Sequence, residues 1–256
     1  MLCRIGGQRS RQILCPAALG IRCREIMSTI SEGLQAITAR IGAAAAMAGR
    51  APEDIELVAV SKTFPPEDIR AAFACGQRAF GESYVQEALD KINDLRDLPL
   101  EWHFIGPIQS NKTRAIAEAF QWVHSVDRLR IAQRLSDARP ASLAPLQVCL
   151  QVNISGEASK SGVAPAEVAQ LAEQVRHLPN LKLRGLMTVP RPTDDPGAQR
   201  DAFHSMRRLL DSVQALGIHL DTLSMGMSDD LEAAIREGAT IVRIGRAIFG
   251  ERIFSV

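Results

Sequence analysis

The order of apolar segments along the chain most restricts its possible fold. From residue 55 onward, short apolar runs typical of strands alternate eight times with segments typical of helices. The predicted strands cover residues 55–61, 78–81, 101–105, 122–125, 146–153, 182–189, 219–224 and 240–244. Strands that alternate with helices are joined by crossover connections, and such strands pair in parallel.

Eight strand–helix units predict an α/β fold, a single-domain (β/α)8 TIM barrel. Such barrels typically need about 250 residues, and this chain has 256. The alternative is an open, doubly wound sheet. Its dinucleotide-binding version carries G-x-G-x-x-G after the first strand, and that pattern is absent here. We therefore favour the barrel, preceded by one additional helix at about residues 30–48.

The first 26 residues differ in composition from the rest. Five arginines precede the first acidic residue, Glu25. An Arg-rich, acid-poor segment is typical of a transit peptide, whereas the missing apolar core argues against a secretory signal. The simpler interpretation is an upstream extension, with Met27 as the functional start. We predict that residues 1–26 are disordered or not native and that residues 27–256 form the barrel.

Composition narrows the class of function. A net charge of +1 and an aromatic content of 4% argue against nucleic-acid binding. No apolar run is long enough to cross a bilayer, so no membrane association is expected. Five cysteines without a C-x-x-C pair argue against a disulfide framework and a metal site, and indicate a cytoplasmic protein. Cys75 and Cys149 are predicted to be packed thiols.

Lys62 directly follows the first predicted strand. A lysine in a dry pocket has a lowered pKa, and its neutral amine can form a Schiff base with an aldehyde or ketone. The alternative is that its apolar stem lies along the strand end and its ammonium reaches solvent. The local sequence leaves both interpretations open.

Other polar or glycine positions also follow predicted strands. In a barrel, these carboxyl ends meet at one mouth, where ligands bind. Each position alone is explained by a turn or helix cap, but together they predict one binding site. Besides Lys62, the candidate residues are Asn153, Ser224, Met225, Gly226, Arg243, Gly245 and Arg246.

The loops after the last two predicted strands have the features of a phosphate-binding site. Loops after strands seven and eight commonly bind phosphate in barrels, and glycines let an oxyanion approach main-chain N–H groups. Asp229 and Asp230 would repel a phosphate, so we expect it nearer Ser224, Gly226 and the 245–246 amides.

A Schiff-base lysine opposite a phosphate site predicts pyridoxal 5′-phosphate (PLP). A phosphorylated aldose is also compatible, which leaves a class I aldolase as an alternative.

Several longer motifs resemble those of a known family, the pyridoxal phosphate homeostasis proteins, over residues 28–252. The motifs are LVAVSKT at 57–63, FGESYVQE at 80–87, HFIGPIQSNK at 103–112, QVNIS at 151–155, GLM at 185–187, LSMGMSDD at 223–230 and VRIG at 242–245. The resemblance implies a barrel related to the N-terminal domain of alanine racemase, with PLP on Lys62. It also implies that Ser224 and the Gly245–Arg246 turn hold the phosphate, and that Arg243 faces the pyridine nitrogen.

Two positions depart from the family pattern. Ser83 stands where many members have Asn, which shortens any contact made there. Arg246 stands where Thr is common, so main-chain groups or a guanidinium replace a hydroxyl contact to phosphate. Gly245 is therefore a better supported phosphate contact than Arg246.

The resemblance further implies a regulator of vitamin B6 pools rather than an enzyme. Arg243 can donate but not accept a hydrogen bond, so it favours an unprotonated pyridine nitrogen and a weaker electron sink. Racemization also needs a second base. The single tyrosine, Tyr84, is predicted near the second βα loop, so Lys62 is expected to be the only base. We expect a monomeric PLP carrier that serves PLP-dependent apoenzymes. A weakly active amino-acid racemase is the alternative.

Overall fold

Eight parallel strands close into a barrel in which each strand pairs with its neighbour in sequence and β8 pairs with β1. The computed structural model describes residues 16–157 and 160–251. The strands are β1 (Glu56–Val60), β2 (Ala79–Glu82), β3 (Glu101–Phe104), β4 (Trp122–Val126), β5 (Leu146–Gln151), β6 (Leu181–Met187), β7 (Thr222–Ser224) and β8 (Ile241–Ile244). The predicted (β/α)8 barrel is confirmed.

Helices surround the barrel and follow each strand. They are α2 (Pro66–Ala74), α3 (Val85–Asp94), α4 (Thr113–Ala119), α5 (Leu129–Ala138), α6 (Val168–Val175), α7 (Pro196–Gln214), α8 (Leu231–Arg236) and the short α9 (Arg246–Phe249). Several begin at a proline, whose fixed φ suits the first helical turn. These helices agree with the predicted ones to within a few residues.

The leading helix is longer than predicted. α1 covers Pro16–Met47, so its backbone begins well before the expected start near Ile30. Residues 1–15 lie outside the described part of the chain. That residues 1–26 are disordered or not native stays a prediction.

Two apolar layers hold the barrel together. The larger lies between sheet and helices and contains Phe80, Phe104 and Phe120, all fully buried. The smaller fills the barrel interior and consists of Val58, Ala79, Trp122, Cys149, Met187 and Ile241. Alternate residues of each strand point to opposite faces of the sheet, which separates the layers. The interior layer closes the barrel beneath its mouth.

Only one of the two expected thiols is packed. Cys149 is fully buried, and burial raises the pKa of its thiol to about 12. Cys75 is exposed, so that prediction is wrong. It directly follows the last residue of α2, where the chain turns through Gly76 at a φ of 100°. Among the described residues, no helix is long and apolar enough to cross a membrane.

Candidate functional site

A cavity of about 240 Å³ opens at the carboxyl ends of the strands. Lys62 lies in the turn that follows β1 and is half-buried in its wall. The cavity is lined by Val60, Lys62, Ser83, Ile105, Val189, Met227, Ser228, Asp229, Arg243, Gly245 and Arg246. The structure therefore brings together four of the candidate residues: Lys62, Arg243, Gly245 and Arg246.

Arg243 supplies a buried positive charge at this cavity. Its side chain is on β8, 5% exposed, and donates to the Ser224 hydroxyl at 2.7 Å and the Thr188 carbonyl at 2.8 Å. Burial lowers the pKa of Arg243 to about 10, while the nearby Asp230 carboxylate opposes the shift. The guanidinium thus remains charged at neutral pH, and its orientation is fixed by two bonds.

A chain of hydrogen bonds continues from Arg243 into the barrel. The Ser224 hydroxyl lies 2.7 Å from Nδ1 of His124 on β4, whose Nε2 lies 3.0 Å from Nδ1 of His103 on β3. The His103 ring stacks on Trp122 with an interplanar angle of 6°. All these polar side chains are buried. Sequence analysis missed both histidines because each lies inside an apolar strand.

Both histidines are neutral. Burial lowers the pKa of His103 to about 3 and takes the pKa of His124 well below its usual value. His103 Nε2 is buried and has no hydrogen-bond partner in the described structure. With the His103 proton on Nδ1, His124 donates to Ser224 and leaves the Ser224 hydroxyl hydrogen unused. With that proton on Nε2, the bonds run in the opposite direction and Ser224 donates to His124.

The loop after β7 is shaped by a glycine and an aspartate. Gly226 has a φ of 100°, and a Cβ there would lie 2.7 Å from the Ala234 side chain. The Asp230 carboxylate accepts from the Met227 N–H at 2.6 Å, so it is directed toward the loop backbone. Burial raises the pKa of Asp230. The turn thus depends on glycine at position 226.

Arg246 and Asp229 face each other across the cavity rim. Their side chains form an ion pair at 3.1 Å, and both are exposed. Asp229 therefore offsets the charge of Arg246, which weakens the argument for Arg246 as a phosphate ligand. The first turn of α9 follows Gly245 directly, and its leading N–H groups have no partner within the helix.

The other candidates lie outside this cavity. Asn153 lines an adjoining cavity of about 220 Å³ that shares Ile105 and Val189 with the first. Its Oδ1 is buried and has no partner within the described residues. Met225 is fully buried in the layer between sheet and helices, and Gly226 does not line the cavity. Ser224 is fully buried, accepts a hydrogen bond from Arg243 and does not line the cavity either.

One group of side chains has the spacing of metal ligands. Atoms of Glu56, Glu101 and His103 lie within 4.8 Å of one another. Glu56 and Glu101 begin β1 and β3, so the group lies at the end of the barrel opposite the mouth. That the protein has no metal site stays a prediction.

The site is that of a (β/α)8-barrel protein with a lysine and a buried cation at the mouth of the barrel. The sequence profile described as "Alanine racemase, N-terminal domain" matches residues 33–253. A Pseudomonas aeruginosa protein named "Pyridoxal phosphate homeostasis protein" is 65% identical over 226 residues, covering 88% of this chain and 97% of that protein. A protein of the same name from Escherichia coli K12 is 52% identical over 232 residues, 90% of this chain and 99% of that one.

A solved structure supports the same family assignment. PipY of Synechococcus elongatus, described as having PLP bound, aligns with a TM-score of 0.76 and 36% identity, covering 86% of this chain and all of that chain (100%). The chain therefore belongs to the pyridoxal phosphate homeostasis proteins, which share the fold of the alanine racemase N-terminal domain.

Proposed function

We propose that this protein binds PLP through Lys62 and takes part in intracellular PLP homeostasis. The observation that carries the proposal is that Lys62 and the buried cation of Arg243 line one cavity, whose wall also includes Gly245 of the loop after β8. Lys62 would hold PLP through its amine, which in the unprotonated form adds to an aldehyde carbon with loss of water. Held in this way, PLP would not expose a free aldehyde to solution.

The residues present fit the cofactor. With the His103 proton on Nδ1, Ser224 offers a hydroxyl hydrogen, and the leading N–H groups of α9 beside Gly245 have no partner within the helix. Both suit a phosphate, whereas Arg243 would face the pyridine nitrogen. The main chain of residues 225 and 226 and the Asn153 side chain in the adjoining cavity remain proposed contacts. This donor set, together with the names of the relatives, favours PLP over an aldolase substrate.

We propose further that the protein holds PLP without an enzymatic role. The Arg243 guanidinium is fixed as a donor by its charge, so a pyridine nitrogen facing it would stay unprotonated. Tyr84 is exposed and does not line the cavity. Lys62 is therefore the single amine base of the described cavity, and the Asp229 carboxylate in its wall is paired with Arg246, which argues against the racemase alternative. The reactive aldehyde would instead be stored and passed to PLP-dependent apoenzymes by a cytoplasmic monomer.

An Arg243→Glu variant tests this role. If Arg243 limits catalysis, an acceptor in its place should raise the rate at which added L-alanine exchanges its α-proton in deuterated water. Arg243→Gln serves as a matched variant that can accept a hydrogen bond without burying a negative charge. No increase in either variant, when folded and loaded with PLP, would count against the explanation. Fast exchange by the unmodified protein would favour the racemase.

Lys62→Ala tests the binding mode. The variant should lose the visible absorbance of the Schiff base but retain weak PLP affinity through the phosphate contacts. Lys182→Ala is the control, because Lys182 is an exposed lysine near the start of β6. An unchanged spectrum in Lys62→Ala would contradict the assignment.

A further inference from the structure

The backbone directly after Lys62 has an unusual conformation. Thr63 has a φ of 70°, one of two positive values among the described non-glycine residues. A β-branched residue rarely adopts this left-handed conformation, because its side chain crowds the backbone. Such conformations persist only where surrounding contacts hold them, and they concentrate at functional sites.

Two hydrogen bonds hold the peptide groups on either side of Lys62. The Lys91 ammonium donates to the Ser61 carbonyl at 2.8 Å. The Glu87 carboxylate accepts from the Thr63 N–H at 2.6 Å. The turn that carries Lys62 is therefore fixed at both ends by charged side chains of α3.

These side chains form a buried ionic cluster with Glu82. Lys91 donates to Glu82 at 2.8 Å and to Glu87 at 2.5 Å. Lys91 is 4% exposed and Glu82 is fully buried. The Ser61 hydroxyl also donates to Glu82, at 2.7 Å. Glu87 and Lys91 are one helical turn apart on α3, and Glu82 ends β2. Side chains of both α3 and β2 therefore bond the turn that follows β1.

Stability alone is a poor explanation for this cluster. Buried ion pairs lose hydration that their attraction barely recovers, and apolar replacements are often as stable. The cluster also meets the main chain at Ser61 and Thr63, the two neighbours of Lys62. We propose that Glu82, Glu87 and Lys91 are positioning residues, which hold the Ser61–Thr63 turn in its strained conformation so that Lys62 faces the cavity. This rests on the proposed role of Lys62.

Glu87→Ala is the informative variant. Its side chain is 29% exposed and its removal leaves the Lys91–Glu82 pair intact, whereas Lys91→Met would leave Glu82 buried without its cation. We expect PLP affinity to fall about tenfold, the size of one lost charge-assisted hydrogen bond. In the protein without PLP, the Thr63 amide should exchange its hydrogen faster and the rate of Lys62 reductive methylation should change. Asp90→Ala, an exposed carboxylate of the same helix, should change none of these.

A second substitution separates positioning from general stability. Glycine adopts a φ of 70° without strain, so Thr63→Gly should restore most of the PLP affinity that Glu87→Ala loses. Wild-type PLP affinity in Glu87→Ala would overturn the positioning role, as would a loss that Thr63→Gly does not rescue and that tracks a fall in melting temperature. Either result can occur while borohydride still labels Lys62 in the unmodified protein. Absence of that label would instead contradict the proposed function.

Discussion

At the scale of single residues, the site depends on buried polar groups that satisfy one another. Ser224 connects Arg243 to His124, and each of these three side chains is at most 5% exposed. Neither histidine was predicted, nor was the pairing of Glu82 and Glu87 with Lys91, because only the folded chain reveals which polar residues are paired inside. Lys62 and Arg243 were predicted, since the ends of strands can be located from the sequence.

Ser224→Ala should remove one hydrogen-bond partner from Arg243 and one from His124, while their bonds to the Thr188 carbonyl and to His103 remain. We expect the free energy of unfolding to fall by about 1–3 kcal/mol, the cost of an unsatisfied buried donor. PLP affinity should fall as well if the hydroxyl meets the phosphate. Ser205→Ala is the control, because that exposed hydroxyl bonds only the Asp201 carbonyl of its own helix. Urea unfolding that gives equal midpoints for the two variants would contradict the role of Ser224.

Glu56 should make stability depend on pH. Burial, reinforced by the charge of Glu101, raises the pKa of Glu56 to about 7. Because the folded protein then holds a proton that the unfolded chain releases near pH 4.5, the contribution of Glu56 to stability is full below that pH and falls as pH rises toward about 7.

Glu56→Gln removes this dependence. At pH 8, the variant without PLP should melt about 2–4 °C above the unmodified protein, corresponding to roughly 1 kcal/mol. At pH 4.5, the two melting temperatures should agree. An increase of equal size at both pH values would show that Glu56 does not titrate in this range.

At the scale of elements, the periodicity of the sequence predicted all eight strands and the helices between them. Strand and helix positions follow from local apolar patterns and from proline and glycine at element ends. The start of α1 was not predicted, because an Arg-rich composition indicated an extension. How α1 packs could not be predicted either, since it contacts α2, α8 and α9, which lie far apart in sequence.

Gly33 lies where α1 meets α9. A Cβ at Gly33 would lie 2.7 Å from the Ala247 carbonyl oxygen and 2.9 Å from the Ile248 carbonyl oxygen. Because α9 follows Gly245 directly, Gly33→Ala should displace the proposed phosphate-binding turn and weaken PLP binding. The clash should also lower the melting temperature despite the better helix propensity of alanine.

Gly42 provides a matched control on the same helix. A Cβ there has no heavy atom within 4 Å, so Gly42→Ala should stabilise the protein by up to about 1 kcal/mol and leave PLP binding unchanged. Thermal unfolding and PLP titration of both variants test the pair. Effects of the same sign would contradict close packing of α1 on α9.

At the scale of the whole molecule, the barrel is one unit that brings distant segments to one mouth. Lys62 and Arg243 are separated by most of the chain and meet because β1 pairs with β8 to close the barrel. Deletion of residues 1–26 should leave both the fold and PLP binding unchanged, because the buried face of α1 includes Ile30, Leu34, Ile37 and Ile41. Circular dichroism and PLP titration of the shortened protein test this, and loss of either would assign the extension a role.

The central claim is that PLP binds through a Schiff base with Lys62. Reduction of the PLP-loaded protein with borohydride makes that bond permanent, and peptide mapping then locates the label. The account predicts one labelled peptide, with the phosphopyridoxyl group on Lys62. Label on another lysine, or no label on a protein that binds PLP tightly, would contradict it.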